Sequence, residues 1–141
     1  MNMTTLNKAF GLVLLGILLM APVTFAAVRG QPLAEGLWGG EHIRMDVTAS
    51  QTKVEFDCGH ATIASKILID PRGRFVAKGT QIEERGGPVR QGEEGHGYPV
   101  EFRGTVKGQN MKLTVTRTDT NELLGTFSLT RGREPELVKC R

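Results

Sequence analysis

Cys58, Cys140, His42, His60 and His96, with the carboxylates beside them, are the residues of this 141-residue chain best suited to do chemistry. Asp57-Cys58-Gly59-His60 sets a thiol near a base, the pairing that activates a nucleophilic cysteine. Residues adjacent on a strand point to opposite faces, however, and Cys58 has a second cysteine with which to pair. Glu93 and Glu94 precede His96, so three histidines with Glu94 as base would suit a zinc hydrolase. That site would require three separate segments to converge. No histidine pair has the helical spacing of a zinc protease, and no CxxC occurs. A phosphate-cradling glycine loop and a nucleophile-elbow serine are also missing. We therefore expect no catalytic residues, no metal and no cofactor. What remains for the two cysteines is each other.

Whether they oxidise depends on compartment, and the amino terminus addresses that. Lys8 and the free amine form a short positive region, followed by the apolar run Ala9–Ala21. Thirteen residues are too few for a bilayer core that takes about 20. Thr24 and Ala26 place small residues where a signal peptidase reads, so cleavage is expected after Ala26. No cysteine follows the run to accept a lipid, and no later apolar span occurs. The expectation is a signal peptide over 1–26 and one exported domain over 27–141, periplasmic or extracellular. A Cys58–Cys140 disulfide follows, closing a loop of roughly 80 residues worth about 4–5 kcal/mol in the chain-entropy model.

Lys and Arg number 18 against 15 Asp and Glu, and loss of Lys8 with the leader lowers the net charge from +3 to +2. Both signs are interspersed along the chain, which argues against a nucleic-acid footprint. A monomer without a membrane span is expected.

The remaining sequence alternates. Ile43, Met45 and Val47 share one face, as do Val54, Phe56 and Cys58, then Ile63, Ile67 and Ile69. Asp70-Pro71-Arg72-Gly73 makes a turn before a short strand at Phe75-Val76-Ala77. Val100, Phe102 and Val106, then Met111, Leu113 and Val115, repeat the pattern around a turn at 107–110. Phe127 and Leu129 lie on a further strand, and Leu137–Cys140 reads as a short closing strand. Such period-2 runs indicate antiparallel strands. The fold class is all-β: a meander of about eight strands, closed or nearly closed into a barrel, with a sandwich as the alternative. Seventeen apolar side chains on inward positions would fill an eight-stranded barrel rather than leave it hollow.

Two segments stand apart from this pattern. Leu37-Trp38-Gly39-Gly40 carries the only tryptophan, placed either as a cap on the core beside a glycine bulge or as a surface anchor. Residues 83–99, EERGGPVRQGEEGHGYP, form the longest aperiodic stretch, and their charged side chains include Arg85, Arg90, Glu93, Glu94 and His96. Loops of this length in compact domains serve either as mobile connections or as recognition elements.

Through WGGEHIRMDVT (38–48), VEFDCGHATI (54–63), GGPVR (86–90), GTFSLTRG (125–132) and LVKC (137–140), the chain resembles a group of small exported bacterial β-rich proteins. That resemblance implies export and one compact domain, and transfers no active site. In architecture a disulfide-bearing exported barrel is similar to the periplasmic lysozyme inhibitors, which insert a loop into an enzyme cleft. The reading is a non-catalytic binding or inhibitor-like module of the bacterial envelope, acting on an envelope protein through the 83–99 loop and Trp38. The alternative is a carrier holding a small apolar ligand inside a partly hollow barrel.

Overall fold

The computed structural model describes residues 29–88, 92 and 95–140; the expected signal peptide and Arg90, Glu93 and Glu94 lie outside them. Eight antiparallel strands close into a barrel, and two short ones form an arm beside it. In chain order they are β1 (Gln31–Pro32), β2 (Gly36–Gly40), β3 (Ile43–Val47), β4 (Thr52–Phe56) and β5 (Gly59–Ile63). Then come β6 (Leu68–Ile69), β7 (Arg74–Glu83), β8 (Tyr98–Lys107), β9 (Asn110–Arg117) and β10 (Glu122–Arg131). β1 pairs with β6, and the barrel runs β10-β2-β3-β4-β5-β7-β8-β9. One end, here the rim, carries the turns after β2, β4 and β9 and the long connection between β7 and β8.

Strand alternation decides what fills the barrel. Ile43, Met45, Val54, Ile63, Val100, Phe102, Met111, Leu113, Val115 and Leu129 are all buried. Val47, Ile67 and Phe75 join them, while Phe56, Ile69, Val106 and Phe127 are partly buried against the core. The Phe75 ring lies over Gly104, its cross-strand partner, where any larger residue would collide with it. Side chains from all eight barrel strands meet in this core.

The structure corrects three details of the sequence reading. Closure is made by β10 on β2, through the pairs Leu129–Gly40, Thr130–Gly39 and Arg131–Trp38. Leu137–Cys140 is not a barrel strand: the chain turns at Gly132, where φ is +76°, and folds back along β2. Gly39 and Gly40 hold continuous register with β3, so no bulge forms there; the irregularity lies between Leu123 and Gly125.

The returning tail explains the glycine pair instead. A side chain on Gly39 would strike the Arg133 carbonyl and lie 3.0 Å from Pro135 N. The Gly132 N–H donates to Leu37 O at 2.7 Å, and Glu136 exchanges bonds with Gly40 O and His42 N at 3.0 and 2.8 Å. Only a glycine lets the tail come this close. Gly39→Ala should therefore cost about 1–3 kcal/mol, the usual range for overpacking. Urea melts of both forms test it, and equal midpoints would refute the tail's close seat.

Candidate functional site

The rim gathers what the sequence left scattered. Cys58, in the turn between β4 and β5, is bonded to Cys140 of the tail, with Cα atoms 5.2 Å apart across 82 positions of sequence. Asp57 holds the tail from the same turn: its Oδ1 accepts the Val138 N–H at 2.8 Å and its carbonyl accepts that of Cys140 at 3.3 Å. Oδ2 of Asp57 lies 2.6 Å from Nδ1 of His42. His42 sits in the left-handed region at φ +66°, sparsely populated for residues other than glycine. Its backbone bond to Glu136 and its ring contact with Asp57 hold it there.

The long connection leaves this rim with both stems clamped. On the β7 side, the Glu84 N–H donates to Cys58 O at 3.0 Å, and Glu84 Oε1 lies 3.0 Å from His60 Nδ1. The Lys139 ammonium approaches Glu55 and Glu84 at 3.7 and 4.0 Å and donates to Phe56 O. On the β8 side, the buried Tyr98 donates its hydroxyl to Glu83 Oε1 at 3.1 Å. The Arg117 guanidinium stacks 4.3 Å from the Tyr98 ring centroid and is forked onto Asp119 at 2.7 and 3.0 Å. The Thr118 N–H ties Pro99 O at 3.0 Å.

Burial pushes the Tyr98 phenol up to about 12, and its hydrogen bond to Glu83 acts the same way. Asp119 is held below the ordinary carboxylate range, chiefly by its hydrogen bond from Arg117. Among the described residues, no group of three His, Cys, Asp or Glu side chains comes together as metal ligands do. His42, in the turn between β2 and β3, and His60, on β5, each face one carboxylate.

Arg85 and His96 are exposed on the described parts of the loop. Trp38 is elsewhere: it is 1 % exposed in the core and donates its indole N–H to Ala34 O at 3.0 Å. A residue so enclosed cannot anchor a partner, so the surface-anchor reading is corrected. Its place follows from strand parity, since Trp38 lies opposite the inward-facing Met45. Arg117 was missed, and Glu83 and Tyr98 were read only as parts of the 83–99 stretch and not as its clamps. The signal for Tyr98 was available, because it extends the inward parity of Val100 and Phe102 by one step.

No protein-family model, curated protein or solved structure matches the chain. The character of the site rests on its geometry.

Two outcomes follow from it. Replacing both cysteines by serine should lower stability by about 2–5 kcal/mol. Amides of β2 should then exchange faster than those of β9; uniform exchange would deny the tail its role in holding β2. Tyr98 is the only tyrosine, so its phenolate absorbance reports one group. It should titrate near 12 in the folded protein and near 10 once unfolded. The raised folded value means that stability is full below about pH 10 and declines between 10 and 12. A folded midpoint near 10 would refute the burial argument.

Proposed function

We propose that this is an exported, non-catalytic binding module of the bacterial envelope, inhibitor-like in action, with the rim loop between β7 and β8 as its contact surface. The observation that carries this reading is the clamping of both loop stems, one to the disulfide-tied turn and one to Tyr98 and Arg117. A loop held at both ends loses less freedom on binding, which favours recognition over random motion. Arg85 and His96 stand exposed beyond the clamps. The filled interior supports the same choice over a ligand-carrying barrel, because it leaves recognition to the outer surface.

The disulfide is compatible with an oxidising compartment, as the leader-like amino terminus suggests. No helix of the described residues is long and apolar enough to cross a membrane.

The test is capture from envelope extract by the wild type and by an Arg85→Glu/His96→Ala variant of equal melting temperature. A crosslinked partner present with the first and absent with the second supports the reading. Identical crosslinked sets would defeat it.

A further inference from the structure

Away from the rim, a groove of about 820 Å³ runs between the β6 arm and the outer wall of β7, β8 and β9. It adjoins a second hollow through the shared residues Ile69, Asp70 and Pro71. Among the described residues, five basic side chains line the two hollows, Arg29, Arg72, Arg74, Arg103 and Lys112, and Asp70 is the only acid. That excess of four is larger than the net +2 of residues 29–141, so the remaining surface is net acidic. Lys78 adds a further exposed cation to the same wall of β7, and Glu101, paired with Arg103 at 2.6 Å, adds a second acid, which leaves the excess at four. Asp70 is likewise engaged, by Arg74 at 3.0 Å. Between these charges stand Leu68 and Val76, 53 % and 55 % exposed.

Two exposed aliphatic residues framed by cations are the chemistry of a surface that seats on anionic lipid. The apolar groups enter the interface while the cations meet the headgroups. The path of the chain agrees. It enters the fold at Arg29 and Gly30, which line these hollows. The apolar run ending at Ala21 is nine residues upstream of Gly30, a reach of at most about 30 Å. If the run acts as the expected leader, this wall starts within that reach of the membrane before processing.

We propose that the β7–β8–β9 wall, with the β6 arm, docks the domain on anionic membrane lipid. Leu68 and Val76 enter the interface, and Arg74, Arg103 and Lys112 contact the headgroups. The seat lies apart from the rim loop and leaves it free for a protein partner.

The experiment uses the chain from Ala27 onward, which keeps every strand, the tail and both cysteines without the apolar run. It is sedimented with phosphatidylcholine vesicles, with and without phosphatidylglycerol. Binding should require the anionic lipid and fall as salt rises. An Arg103→Glu/Lys112→Glu variant should bind at least tenfold more weakly, since each cation contributes on the order of fivefold. Leu68→Ser/Val76→Ser, checked by its melting curve, should weaken binding at all salt concentrations. Arg85→Glu/His96→Ala should bind as the wild type does, which separates this proposal from the role of the loop. Equal partition onto neutral vesicles, or no partition onto either, would overturn it. Capture of polyglutamate without vesicle binding would also overturn it, and would assign the groove to acidic polypeptides.

Discussion

A barrel needs its last strand to meet its first, and that seam is the shortest stretch of pairing in this barrel. β10 meets β2 through three residue pairs, whereas it meets β9 through eight. The tail compensates. After Gly132 it doubles back across Gly39, adds hydrogen bonds to the upper end of β2 through Glu136, and ends in a covalent bond to the turn after β4. One strap therefore links β10, β2, β4 and β5. Its crosslink limits the unfolded chain, and its seat on β2 reinforces the weakest side of the closed sheet. The glycine at 39, the left-handed His42 and the carboxylate of Asp57 are local conditions for that strap.

The same strap fixes the rim. Because Cys58 accepts the Glu84 N–H, the disulfide-tied turn is also the base from which the long connection departs. Tyr98 and Arg117 secure the other stem, and their arrangement combines burial, a hydrogen bond and a cation over an aromatic face. Closure of the barrel and presentation of the loop thus share residues. Opening the bond at Cys58 acts on both.

The architecture was legible because alternation persists through nearly every strand, and parity alone placed most of the core. Two readings failed for physical reasons that parity cannot capture. Leu137–Cys140 reads as a short strand by composition, yet Pro135 offers no N–H and the segment finds β2 already paired along most of its length. Gly39-Gly40 carries the composition of a bulge, but the pair answers to a close approach by a distant segment, information absent from its own neighbourhood. Trp38 was placed correctly only by the reading that put it in the core. Phe56 and Phe127, both assigned inward, come within 5.5 Å of each other and remain half-buried.

Charge was the property least visible along the chain. In sequence the two signs alternate closely enough to suggest an even surface. Folding sorts them, because outward positions on neighbouring strands come into register: Arg74 lies opposite Thr105, which lies opposite Lys112, and Val76 lies opposite Arg103. Cations from three strands then share one wall, although no two of Arg74, Arg103 and Lys112 are close in sequence. A near-neutral composition is compatible with a strongly basic face whenever strand order, rather than sequence distance, decides which charges are neighbours. The separation also has a functional consequence. The basic wall and the clamped loop lie on different parts of one closed sheet, so the two proposed contact surfaces do not overlap.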